Sequence, residues 1–309
     1  MALGLQRGHN GVPAAQATAV RLYLEFLLLA LIWGASFALY RVAVPELGLA
    51  MTVTLRLVLA ASALCAVFGS PLRTVAAPDR LRTVLWLVFI GAGTTALPFS
   101  LFAETVMRSS AGFAAVLNAS APLFSALLAV CVWRESLSGT KAAGLLLGFA
   151  GVALLASLRE LGPLRVGLDA VALGLGGSVS YGLCVQLTRR RLGTLDSAAV
   201  ATGFSVVGAL LLLPWALASL PHALPSWRAL LAVAVLGLVS TALANFMYFR
   251  LLGRMGATPA LSVTFLIPPF AMLWGNLLFD ELPTLTMLAS TAIILAGTAM
   301  SLGWRRTSG

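Results

Sequence analysis

Charge is scarce in this chain. Of its 309 residues only 10% are charged, against roughly 25% in a soluble domain. A soluble fold so poor in charge could not cover its own surface, which excludes an ordinary cytosolic enzyme and a disordered tail. Lysine is nearly missing, with Lys141 alone among 19 arginines. Cysteine is sparse too. Cys65, Cys131 and Cys184 lie far apart in apolar stretches without a CxxC spacing, so neither a disulfide framework nor a zinc site is expected. His9 and His222 stand alone. No metal and no cofactor is expected. The apolar runs are uninterrupted rather than alternating, which excludes β-barrel spans. No basic run carries interleaved aromatics, so the net charge of +10 does not point to nucleic acid.

What fills the chain instead is hydrophobic residue, at 60%. A spanning helix needs about 20 apolar residues, and the windows predict ten spans. They fall at 22–44, 48–69, 83–104, 109–133, 142–158, 169–188, 197–220, 228–250, 257–279 and 284–303. Helices satisfy their backbone within each segment. With the N-terminus inside, fourteen Lys and Arg fall on inner segments and five on outer ones, leaving Arg56 in the bilayer. That bias sets both termini in the cytoplasm of a multi-pass protein of the cell (cytoplasmic) membrane.

The second half of the chain echoes the first at a shift of 146. Arg82, Leu85 and Gly91 meet Arg228, Leu231 and Gly237, and TTAL (94–97) meets STAL (240–243). Pro122 and Phe124 meet Pro268 and Phe270, and Glu135 meets Glu281. Without a gap, 18 of 75 positions are identical. The unit is five helices, an odd number, so the second copy enters from the opposite side. Inverted repeats of this kind build alternating-access transporters around a midplane site. The expected fold is therefore an all-α membrane protein of ten transmembrane helices as two inverted five-helix repeats. The expected domains are a tail at 1–21, a first repeat at 22–158, an outer connector at 159–168, a second repeat at 169–303 and a tail at 304–309.

These halves resemble the drug/metabolite transporter superfamily, specifically its EamA-domain exporters. WGASFALYR (33–41) is similar to that family's first-helix pattern, and Arg56 in TLRLVLA fits its second-helix arginine. Ala111 to Pro122, followed by WRESLSGTKAAGLLLGFAGV (133–152), resembles its fourth-helix proline, loop Glu and Gly-rich fifth helix. ATPALSVTFLIPPFAMLWGNLLFDE (257–281) repeats this with a double proline. Helix six departs, with Tyr181-Gly182 and Arg189 where Trp33-Gly34 and Arg41 stand. The resemblance implies export, and a cavity wall that includes Trp33, Phe37 and Tyr181.

Arg56 lies about 12 Å deep at 1.5 Å per residue. A charge there must face the bundle interior or water. It serves either as counter-ion for an anionic substrate group or as a structural tie to helix-end carbonyls. Pro98, Pro122, Pro268 and Pro269 are mid-span. Each removes a donor and frees a carbonyl, as expected of a gating kink or cavity lining, or of a packing kink alone. Thr95, Asn118, Thr241, Asn245 and Thr264 sit beside those breaks as candidate substrate contacts. Their alternative is interhelical hydrogen bonding, worth about 1 kcal/mol each. Glu25 and Glu104 are expected at the interfaces, and no acid occupies a span centre, which argues against a central proton relay. Gly144, Gly148 and Gly151 form a close-approach face for packing within the protomer, or for a dimer. The expected function is secondary transport of small organic metabolites, such as amino acids or amphiphilic compounds, with a lipid bilayer as surroundings. The protein is expected as a monomer or homodimer. The alternative is a membrane-embedded enzyme acting on lipid-linked substrates.

Overall fold

A computed structural model describes residues 11–73, 77–157, 166–255 and 262–302. The described chain runs through ten apolar helices. They are α1 (Gly11–Leu47), α2 (Leu49–Phe68), α3 (Arg80–Arg108), α4 (Ala111–Cys131), α5 (Gly139–Ala156), α6 (Leu168–Arg191), α7 (Ser197–Ala218), α8 (Trp227–Leu251), α9 (Ser262–Phe279) and α10 (Leu285–Ser301). Nine are long and apolar enough to span a membrane, and α10 has 17 residues. At 1.5 Å per residue α10 reaches about 26 Å, a few ångströms under the roughly 30 Å hydrocarbon core. The expected spans match these bounds to within a few residues except at the start of the first, where helix α1 begins at Gly11, eleven residues before the expected 22 and within the expected 1–21 tail. The start of the ninth expected span, the last residue of the fifth, residues 159–165 of the expected 159–168 connector, and residues 1–10 and 303–309 lie outside the described residues. So do His9, Trp304 and the counted arginines at 7, 159, 165, 305 and 306.

Helix starts carry the chemistry that starts helices. Ser110, Ser138, Ser226 and Thr284 accept hydrogen bonds from the backbone N–H of Phe113, Lys141, Ala229 and Met287. Each satisfies a donor that the first turn leaves orphaned. Between α1 and α2 the turn is a single residue, Gly48, at φ 75, a conformation that glycine adopts without a Cβ penalty.

The principal packing pairs are α1 with α8 and α9, α2 with α7 and α8, α3 with α6 and α7, α4 with α6 and α9, and α5 with α10. Exchanging α1–α5 for α6–α10 returns the same set of pairs. Every one of these joins the first five helices to the last five, so the core is an interface between the halves. The α5–α10 contact is the closest. A Cβ on Gly144 would strike the Ser301 backbone, and one on Gly297 would strike Gly148. The glycine face of α5 is thus used inside the protomer, as small residues are in membrane bundles.

Candidate functional site

Three helices lose their regular ladder at mid-length, and a fourth at the start of its described residues. In α3, residues Ala92–Ala96 form a widened π turn, ahead of Pro98. Proline lacks the N–H that the ladder needs, and the Leu97 N–H reaches back five residues to the Ala92 carbonyl. In α8 the widened stretch is Val235–Leu243. No proline stands there; the Thr241 hydroxyl donates to the Leu236 carbonyl at 2.8 Å and so satisfies an acceptor. Turns of this kind concentrate at functional sites. α4 breaks at Ala119 and Ser120, before Pro122, and α9 begins as a tight turn at Ser262–Leu266, before Pro268 and Pro269. All four singled-out prolines therefore stand at the first turn of a helical segment.

Arg56 sits between these breaks, 5% exposed. Its Nε donates to the Thr241 hydroxyl at 2.9 Å, and an Nη1 hydrogen goes to the Tyr40 hydroxyl at 2.6 Å. Its guanidinium lies over the Phe99 ring at 3.9 Å and the Tyr40 ring at 5.4 Å. Aromatic faces attract a desolvated cation by about 2 kcal/mol. No carboxylate among the described residues forms an ion pair with it, although eight pairs form elsewhere. Among the described residues the charge is held by hydroxyls and rings.

An aromatic wall continues from Phe99. Its ring centroid is 6.5 Å from Tyr181, Tyr181 stacks on Phe102 at 5.8 Å, and Phe102 meets Phe37 edge-on at 6.2 Å. On the other side Trp33 packs on Tyr248 at 5.6 Å. The missing tryptophan of α6 is thus replaced in place: Tyr181 meets Phe102 of α3 as Trp33 meets Tyr248 of α8. Next to this wall, α1, α8 and α9 line a half-open apolar pocket of about 220 Å³, with Leu31, Ala35, Val239, Ser240, Trp274 and Leu278 among its walls. The Trp274 indole N–H donates to the Leu31 carbonyl at 3.1 Å and braces it.

The structure brings Arg56, Thr241, Phe37 and Tyr181 into this one region, with Trp33 at its edge. Thr95 turns elsewhere. Its hydroxyl is engaged with the Gly91 carbonyl at 2.8 Å and the Phe204 carbonyl of α7 at 3.0 Å. Asn118, Asn245 and Thr264 are half-buried, at or near the helix breaks. Pro98 and Pro268 are buried, Pro122 is half-buried and Pro269 is exposed. Glu25 and Glu104 take up arginines, Arg21 and Arg250 for the first and Arg108 for the second. Sequence reasoning passed over Tyr40 and did not place Phe99 in the site. The available signal was a tyrosine inside an apolar span, where a hydroxyl needs a partner.

The EamA-like transporter family matches the chain twice, over residues 21–157 and 169–303. The chain belongs to that family. It is a multi-pass membrane protein of the drug/metabolite transporter superfamily. An uncharacterised transporter of Synechocystis sp. is 29% identical over 219 residues, covering 63% of this chain and 64% of that one. The uncharacterised transporter YvbV of Bacillus subtilis is 28% identical over 174 residues, 55% of this chain and 56% of its own. A WAT1-related chloroplastic protein of Arabidopsis thaliana is 29% identical over 210 residues, 62% of this chain and 48% of its own. The matched stretches thus span about half to two thirds of these relatives. A solved structure described as the crystal structure of a protein superposes with a TM-score of 0.62 at 19% identity. It covers 93% of this chain and 99% of its own, and speaks to the fold.

Proposed function

We propose that the chain is a secondary transporter, an exporter, of small organic metabolites that carry a carboxylate. Amino acids and amphiphilic acids fit this class. The observation that carries the reading is Arg56: a buried cation with neutral partners only. Holding an arginine at the centre of a membrane helix costs about 3 kcal/mol on insertion scales. A carboxylate delivered by the substrate supplies the missing charge, and charge-assisted hydrogen bonds are about twice as strong as neutral ones. Tyr40 and Thr241 hold the guanidinium fork; Phe37, Phe102 and Tyr181 form the wall for the apolar part of the substrate. Trp33, Asn118, Asn245 and Thr264 border the path. The two five-helix halves rock about this site as inverted repeats, with hinging at the broken helices. The closed set of packing pairs and the double family match support that reading. The basic residues of the inner segments favour both termini in the cytoplasm of the cell membrane. One chain supplies both halves and suffices as a monomer.

The test is efflux from proteoliposomes loaded with labelled amino acids, amphiphilic acids and cationic dyes, with and without a pH gradient, beside Arg56→Ala. Saturable flux of a carboxylated compound that the variant loses is the expected result. Flux restricted to cations, or carboxylate flux undiminished in the variant, overturns the reading of Arg56.

A further inference from the structure

Two tripeptides at opposite ends of the bundle have the same build. Trp133-Arg134-Glu135 ends α4 on the face where α1 begins, and Phe279-Asp280-Glu281 ends α9 on the opposite face. In each the middle residue is left-handed, Arg134 at φ 54 and Asp280 at φ 55. They are the two non-glycine residues with positive φ among those described. In each the Glu N–H folds back six residues, Glu135 to the Ala129 carbonyl at 3.0 Å and Glu281 to the Gly275 carbonyl at 3.2 Å. In each, the aromatic ring and the carboxylate clamp one arginine from the other half. Arg190 of α6 lies 4.7 Å over Trp133 and donates to Glu135 at 2.8 Å. Arg41 of α1 lies 5.6 Å over Phe279 and donates to Glu281. Left-handed backbone at a residue other than glycine costs about 1 kcal/mol or more and persists where the surroundings require it. The same strained cap occurring twice, each time across the interface between the halves, marks a device rather than a loop accident.

We propose that these two clamps are the gates of the transport cycle, which rests on the alternating-access reading above. Arg41–Phe279–Glu281 closes the far face, Arg190–Trp133–Glu135 closes the face where α1 begins, and transport opens them in turn. The far gate is bound more heavily. Glu281 also accepts the Ala111 N–H at 3.0 Å, at the start of α4, and Arg41 also donates to the Ser109 carbonyl at 3.2 Å. It therefore ties α1, α4 and α9 together. The Glu281 side chain is 12% exposed and that of Glu135 is 31% exposed. Glu135 has Arg189 and Lys141 farther off, each at 4.0 Å. Two further pairs between the halves flank the gates: Arg108 with Asp169 on the far face, and Arg250 with Glu25 on the near one.

The test reads gate opening without any substrate. Ala114, buried in the core one turn below Ala111, is replaced by cysteine in a chain freed of its own three cysteines. Labelling by a membrane-impermeant maleimide from the far face is then timed in oriented vesicles. Glu281→Gln is expected to speed labelling about tenfold, the effect of weakening the far gate by about 1.4 kcal/mol. Glu135→Gln is expected to slow it below the parent rate, because weakening the near gate draws molecules to the other state. The exchange of Arg41→Glu with Glu281→Arg rebuilds the ion pair but not the bonds to Ser109 and Ala111; it is expected to return the rate part of the way to the parent value, and serves as control should a single variant fold poorly. Both glutamate variants shifting labelling in one direction, or neither shifting it, overturns the proposal. Opposed shifts without measurable flux of any solute would instead leave the gates standing and fault the substrate reading.

Discussion

The widened turns of α3 and α8 occupy matching places in the two halves and do different work. In α3 the turn is sealed. The Thr95 hydroxyl goes to backbone carbonyls, and Gly208 of α7 lies close against it. In α8 the corresponding Thr241 receives a hydrogen bond from Arg56, while Gly237 packs on the Arg56 backbone. The packing pairs recur between the two halves, but among the described residues a buried arginine stands at only one of the two turns. A pseudo-symmetric bundle can keep its packing geometry in both halves while its recognition chemistry sits in one. The α3 turn is the structural reference against which the α8 turn is measured.

The sharpest way to test that contrast is to remove the charge. Arg56→Ala should cut saturable carboxylate efflux by about thirtyfold or more, since losing one partner of a buried charge interaction costs about 2–5 kcal/mol. Its thermal midpoint should change little or rise, because an expensive buried cation is gone. A collapse of stability with flux per folded molecule retained would make Arg56 structural and dissolve the contrast. The glycines come next. Gly208→Ala and Gly237→Ala each force a Cβ into a neighbour, at about 1–3 kcal/mol. Both should lower the thermal midpoint in detergent; only Gly237→Ala should also raise KM, since it displaces the Arg56 backbone.

The threonines give a finer comparison. Thr241→Val should raise KM for the carboxylate about tenfold, the loss of a hydrogen bond to a charged group at about 1.5 kcal/mol. Thr95→Val should leave KM unchanged and lower stability by about 1 kcal/mol, read by chemical or thermal unfolding. Equal KM effects at both would show that the two turns share the substrate. The smallest effect is expected at Phe99, whose ring faces the guanidinium. Phe99→Leu should weaken substrate binding about fivefold through the lost cation–π contact of about 1 kcal/mol, with kcat retained.

The ten helices were legible because each is an apolar run bounded by charge, proline or glycine, and hydrophobicity is read along the chain. The shift of 146 was legible because the sites that demand one residue type recur: the glycine at 91 and 237, the proline at 122 and 268, the glutamate at 135 and 281. Arg56 stood out as an expense that needs a reason. Its surroundings did not. Tyr40 and Thr241 lie 16 and 185 residues away, and which faces of α1 and α8 meet α2 is decided by packing that no local pattern encodes. Thr95 and Thr241 look alike in TTAL and STAL; only the neighbouring helix, α7 or α2, tells them apart. Of the residues proposed as gates, Arg41 and Arg190 were visible as charges at span ends and counted as topology signals, and Glu135 and Glu281 as repeat positions. Their pairing across the halves is a property of the assembled bundle.

The backbone contact of α5 with α10 has a mechanical consequence. Gly144, Gly148 and Gly151 bring the α5 backbone within van der Waals contact of Gly297 and the Ser301 backbone of α10, with Ile293 and Ile294 packed beside them, so this seam leaves the two helices no free space between them to move apart piecemeal. It lies apart from the Arg56 site and joins the last helix of one half to the last helix of the other. In the alternating-access cycle proposed above this seam is the fulcrum, and displacement grows with distance from it toward α1 and α6 and the two clamps in which they take part. Packing a methyl into that seam, at Gly144 or Gly297, would stiffen or shift the axle, and would change how far both ends swing without touching a single residue that holds the cargo.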